Sequence, residues 1–134
     1  MNNRPRIQLQ LQPIDKIVEI LCLIVIAALW LLTSVAYNQL PDVIPVHFDA
    51  TGQADGYGPK ATLWMLPTIA SALVLGLTIL NKYPHIFNYP TTITPENALQ
   101  QYTFATRMLR WIKLGAAIIF LVIMFFTLNA VGMI

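Results

Sequence analysis

Three long apolar runs separated by two polar stretches dominate the chain. The first, residues 17–37 (IVEILCLIVIAALWLLTSVAY), carries no charge between Glu19 and Asp42. As a helix rising 1.5 Å per residue it covers about 30 Å, the thickness of a bilayer core. The second run, LWMLPTIASALVLGLTIL, ends at Leu80. Its Pro67 falls in the first turns, where a missing backbone donor costs least, and a modest kink is expected there. Ala72 and Gly76 make a small-xxx-small pair that lets another helix approach closely. The third run, IKLGAAIIFLVIMFFTLNAVGMI, follows an amphipathic stretch with no glycine or proline before Gly115. Thr94 reads as the N-cap of that stretch, with Pro95 at the first helical position and Glu96 in the first turn.

The pattern predicts an all-α integral membrane protein with three transmembrane helices, forming a single membrane domain over residues 1–134. Helix 1 covers about 17–37, an ordered extracytoplasmic loop 38–61, helix 2 about 62–80 and a cytoplasmic connector 81–94. An amphipathic cytoplasmic helix leading into helix 3 covers about 95–132. Residues 1–13 read as an unstructured cytoplasmic tail. The alternation of Leu9 and Leu11 with Gln8, Gln10 and Gln12 also fits a short extended piece. Composition agrees with a membrane class. Apolar residues make up 57% and charged residues 10%, against about 25% charged in soluble proteins, and the mean hydropathy is +0.63. Ser34-Val35-Ala36 resembles a signal-peptide cleavage site, but the run before it exceeds the roughly 7–15 apolar residues of a signal core. Retention as an anchor is expected.

Charge then sets direction. Arg4, Arg6, Lys16, Lys82, Arg107, Arg110 and Lys113 fall on one side of a three-span arrangement, and Lys60 alone on the other. The positive-inside rule places the N-terminus in the cytoplasm and the C-terminus outside. Trp30, Tyr37 and Trp64 fall near the outer interface, Tyr83 and Trp111 near the inner one. Cys22 is the only cysteine, which excludes an internal disulfide, a redox pair and a cysteine-rich zinc site.

The stretch from Leu40 to Lys60, LPDVIPVHFDATGQADGYGPK, concentrates the candidate chemistry. Asp42, His47, Asp49 and Asp55 could ligate a divalent ion, with His47, Asp49 and Asp55 as the weak metal candidates. The competing account is structural. Val43 to Phe48 has strand composition, Asp49-Ala-Thr-Gly52 reads as a tight turn, and residues 53–57 return as a second strand. In it Asp49 bonds the turn backbone, Gly52 takes a positive φ, and Asp55-Gly56 makes a second turn. Pro41 and Pro45 set extended geometry on the way in. The carboxylate spacing matches no EF-hand. There is no HExxH, GxSxG or glycine-rich phosphate loop, and the stretch has Thr51 but no serine or cysteine. No catalytic residue and no cofactor are assigned. His85 in the connector reads as an ordinary interface histidine. Neither span flanking the loop is ionisable beyond Glu19 except at Cys22, which argues against a self-contained ion or proton path.

The same stretch resembles the signature of the DUF1648 domain, LPxxIPxHF followed by GxxDxxGxK. The matching positions are Leu40, Pro41, Ile44, Pro45, His47, Phe48, Gly52, Asp55, Gly58 and Lys60. The tract FNYPTTITPENALQQY is similar to small standalone members of that group. The domain also opens larger multi-pass bacterial proteins, the SdpI-type immunity proteins, and this chain has three spans where those have more. That resemblance implies a bacterial inner-membrane protein, protection against a secreted toxic peptide, and signalling by sequestering a transcriptional repressor. The domain's role is unassigned, so the resemblance transfers no catalytic residue. The reading is a non-enzymatic binding or signalling module in the bilayer. Its candidate binding residues are Pro41, Asp42, Pro45, His47, Phe48, Asp49, Gly52, Asp55 and Lys60. Its expected partners are a peptide ligand, a second copy or another membrane protein, with no nucleic acid. A metal-binding accessory or enzyme using the outer loop, and a subunit of a transporter or larger complex, are the alternatives.

Overall fold

The computed structural model describes residues 4–134; the first three residues of the N-terminal tail lie outside them. Helix α1 spans Pro13–Ala36, hairpin strands β1 and β2 span Val43–Phe48 and Ala54–Pro59, and helices α2 and α3 span Met65–Leu80 and Ala98–Ala130. Single 3-10 turns at Tyr37–Gln39, Lys60–Trp64 and Pro84–Ile86 mark the changes of direction.

Helix α1 begins at Pro13, ahead of the uncharged run. Proline suits this first position because no helical partner awaits its missing N–H, and Asp15 accepts a bond from the Gln12 backbone N–H at 3.0 Å. Pro67 lies in the first turn of α2, buried. The amphipathic stretch and the third apolar run form one unbroken helix of 33 residues, about 50 Å long. Its start differs from the expected one. Pro95–Asn97 form a turn, and the Asn97 side chain accepts from the Thr94 N–H at 2.9 Å and donates to the Thr92 carbonyl at 2.9 Å. Asn97, not Thr94, therefore stands at the helix boundary, because its side chain offers the backbone a local alternative to the helix.

Segments Pro13–Gln39, Lys60–Leu80 and Ala98–Ala130 are each long and apolar enough to cross a membrane. Their outward faces carry exposed Leu23, Leu31, Leu75 and Ile119, an apolar exterior that water would penalise and lipid would not. Inside, Leu29, Ala70, Met124 and Leu128 pack with Leu40, Ile44 and Leu63, joining the helices to the hairpin base. Val18, Cys22, Val74, Leu114 and Ala117 form a second cluster towards the other end. Ala70 and Val74 make the buried contacts of α2. The Ala72–Gly76 pair does not: both are exposed, and a Cβ at Gly76 would meet no atom within 4 Å.

Residues 4–12 are not an unstructured tail. They lie along the connector with Ile7 and Leu9 half-buried and Arg6, Gln8 and Gln10 exposed. Ile7 and Leu9 pack on Ile93, Ala98 and Tyr102. Arg4 Nη1 donates to the carbonyls of His85 (3.2 Å) and Phe87 (2.6 Å), with its guanidinium 5.5 Å from the Tyr89 ring centre. The alternation of apolar and polar residues is what an extended segment with one covered face requires. Burial, with Tyr102 nearby, pushes the Tyr89 phenol up to about 12, so it stays neutral and donates to the Pro84 carbonyl at 2.8 Å.

Candidate functional site

The hairpin is the polar structure between α1 and α2, and its base is closed by Lys60. The Lys60 backbone N–H donates to the Asp42 carbonyl at 2.9 Å. Its ammonium lies 3.3 Å from Asp42 Oδ1, 3.5 Å from the Leu40 carbonyl and 5.6 Å from the Tyr37 ring centre. Tyr37 and Trp30 flank Trp64 with ring centres 5.6 and 6.0 Å away. Trp30 Nε1 donates to Ser71 Oγ at 3.0 Å. These aromatics collar the hairpin end of the bundle.

At the tip, Asp49 makes the turn. One of its carboxylate oxygens accepts from the Thr51 N–H (2.8 Å), the Thr51 hydroxyl (2.6 Å) and the Gln53 N–H (3.0 Å). The Thr51 hydroxyl first, and the Gln53 amide next, hold this carboxyl below the usual aspartate range. Gly52 closes the turn at φ 81°, a left-handed conformation that glycine adopts without steric cost. Phe48 rests on Phe126 of α3, ring centres 5.8 Å apart, and ties the hairpin to the end of that helix.

Between base and tip the ladder is irregular. Pro45 faces Tyr57, His47 faces Gly56 and Phe48 faces Ala54, so Val46 and Asp55 are extra residues on opposite strands. Such bulges re-aim side chains locally. Here His47 Nδ1 and Asp55 Oδ1 meet in a hydrogen-bonded pair, both substantially exposed. Asp55-Gly56 is accordingly part of β2 rather than a second turn. Glycine is required at 56 because a Cβ there would lie 2.9 Å from the His47 Cβ.

The structure thus pairs His47 with Asp55 and Asp42 with Lys60, and leaves Asp49 committed to its turn. Pro41 is exposed and Pro45 buried beside Ile44. No three His, Cys, Asp or Glu side chains converge as metal ligands among the described residues. The Thr51 hydroxyl is spent on Asp49, and Cys22 is buried within α1, so neither stands beside the histidine as a nucleophile would.

Sequence reasoning missed a second constellation at the opposite end. Asp15 and Glu19 of α1 face Arg107, Arg110 and Lys113 of α3. Arg107 Nε donates to Asp15 Oδ1 at 2.9 Å and its Nη2 to Gln12 Oε1 at 2.8 Å. Lys113 Nζ donates to Glu19 Oε2 at 2.6 Å and to Thr78 Oγ1 of α2 at 2.9 Å. Arg110 sits between the carboxylates, 3.6 Å from Asp15 and 3.3 Å from Glu19. Asp15, Arg110 and Lys113 are buried. Helical spacing was the available signal: acids four apart on one helix and bases three apart on another each form a single face.

Residues 24–71 match the family described as Domain of unknown function (DUF1648). The match covers the second half of α1, the whole hairpin and the start of α2. An uncharacterized protein of Archaeoglobus fulgidus is 41% identical over 76 residues, covering 51% of this chain and 42% of that protein. The chain therefore aligns with less than half the length of this relative. No solved structure matches significantly.

Proposed function

We propose that the protein is a multi-pass membrane protein whose hairpin is a non-enzymatic recognition element for an extracytoplasmic peptide. In this reading the N-terminus is cytoplasmic and the C-terminus extracytoplasmic in the cytoplasmic membrane, supported by the placement of Lys60 apart from the seven other lysines and arginines.

The carrying observation is the division of labour within the hairpin. Ile44, Phe48, Asp49, Gly52 and Lys60 are occupied in holding its shape, whereas Val43, Val46, His47 and Tyr57 are exposed on it. A two-stranded sheet also leaves the outer edge of each strand unpaired. An extended peptide can add along such an edge through main-chain bonds, with apolar and imidazole side chains reading its sequence. A rigid scaffold presenting exposed side chains at a loop is the usual arrangement for binding. A secreted peptide as ligand is what the likeness to SdpI-type proteins implies, and repressor sequestration would be the signal inside. The histidine–carboxylate pair orients the imidazole; with neither Thr51 nor Cys22 beside it, its role in this reading is binding.

Photo-crosslinking tests this reading. A photoreactive residue at Val46 or Tyr57, in native membranes, should capture a peptide. Asp55→Ala, which frees His47 to rotate, should reduce capture with the protein level unchanged. Capture that is unaffected by Asp55→Ala and His47→Ala together would sink the assignment.

A further inference from the structure

At the end of the bundle opposite the hairpin, a cavity of about 350 Å³ is lined by Gln8, Asn81, Lys82, Pro84 and Arg110, with Ile7 and Leu9. Among the described residues, two of the three buried side-chain polar atoms without a hydrogen-bond partner belong to residues lining it: Asn81 Oδ1 and Arg110 Nε. Arg110 Nε is within attraction range of Glu19 but not aligned to bond it. A neighbouring cavity of about 370 Å³ shares Ile7, Gln8, Lys82 and Pro84 and adds Arg6, Tyr83 and His85. None of the described residues lining either cavity is acidic.

We propose that this polar cavity binds the headgroup of an anionic phospholipid that carries a hydroxyl donor. The ion-pair network behind it holds three cations, Arg107, Arg110 and Lys113, against two carboxylates, Asp15 and Glu19. One positive charge is left over in a buried setting, and Lys82 adds another at the mouth. A phosphate oxygen supplies counter-charge for Lys82 and for the excess cation of the network behind it. The amide of Asn81 is oriented by its own bond, Nδ2 donating to the Thr106 carbonyl at 3.1 Å; turned over, two oxygens would face each other. Its Oδ1 therefore remains an acceptor and calls for a hydroxyl donor, which a glycerol-type headgroup provides. Position selects lipid over a soluble anion. Asn81 and Lys82 follow directly on the last apolar residue of α2, and exposed Tyr83 and Trp111 mark the same level as an interface.

The proposal rests on the chain spanning a membrane and is independent of the hairpin's role. Its test is native mass spectrometry of the full-length protein in detergent with phosphatidylglycerol or phosphatidylcholine. One phosphatidylglycerol per chain should survive activation that strips phosphatidylcholine. Lys82→Gln should lower its retention about fivefold, and Asn81→Asp should lower it as well by placing a carboxylate in the cavity. Lys16→Gln, an exposed charge that lines neither cavity, should leave retention unchanged. Equal retention of the two lipids means the cavity holds water only and overturns the proposal. An equal loss in Lys16→Gln means diffuse surface attraction and overturns it too. Displacement of the lipid by glycerol phosphate at equal concentration would assign the site to a soluble anion instead.

Discussion

Gly56 and Asp49 show how much of the hairpin hangs on single residues. A Cβ at position 56 would lie 2.9 Å from the His47 Cβ, and the nearby strand backbone cannot step aside as a flexible side-chain tip could. Gly56→Ala should cost about 1–3 kcal/mol of hairpin stability, seen as faster amide exchange over β1 and β2 and loss of the His47–Asp55 bond in the imidazole spectrum. Asp49 adds a pH dependence of known sign. Its carboxyl is lowered in the folded hairpin by Thr51 and Gln53. The stabilisation is therefore complete above the ordinary aspartate range and fades as pH falls through the lowered value. Carbon-detected titration of the Asp49 carboxyl should show its midpoint below the usual aspartate value. Thr51→Val should bring it back up, because the hydroxyl is the largest of its causes.

Between elements, two kinds of contact hold the molecule together. The hairpin touches α3 through Phe48 on Phe126. Phe126→Ala should cost about 1 kcal/mol from the lost aromatic pair, with amide exchange rising in the hairpin and unchanged at the opposite end. Helices α1 and α3 are joined by charge as well as by packing. Lys113 is buried against Glu19 and Thr78, and removing one partner of a buried pair is costly because the other charge stays behind. Lys113→Met should destabilise the detergent-solubilised protein by about 3 kcal/mol. Glu19→Gln in the same chain should recover part of that loss, as a double-mutant cycle would measure.

At the scale of the whole molecule, the aromatic collar and hairpin lie at one end and the charge network at the other, with apolar helix surface between. Orientation follows if the basic end stays in the cytoplasm. A cysteine at exposed Gln53 on a Cys22→Ala background should react with an impermeant maleimide on intact cells. A cysteine at exposed Lys16 should react only after permeabilisation. The reverse pattern would place the hairpin inside and remove the extracytoplasmic peptide as its ligand.

Sequence alone determined the three apolar helices, the turn at Asp49–Gly52 and the strand tendency of residues 43–48. These depend on local preference and on runs long enough to span a bilayer, and both are written in consecutive residues. Only the tertiary structure decided the rest. Whether residues 4–12 lie docked depends on a covered face contributed by Ile93, Ala98 and Tyr102. The bulges that join His47 to Asp55 depend on how two strands meet, and the strand-like composition of each is blind to that register. The pairing of Asp15 and Glu19 with Arg107, Arg110 and Lys113 is further still from local patterning, because the partners are some ninety residues apart. Read singly, each of those charges marks the end of a span. Their burial against one another is what turns them into a structural core, with one positive charge in excess.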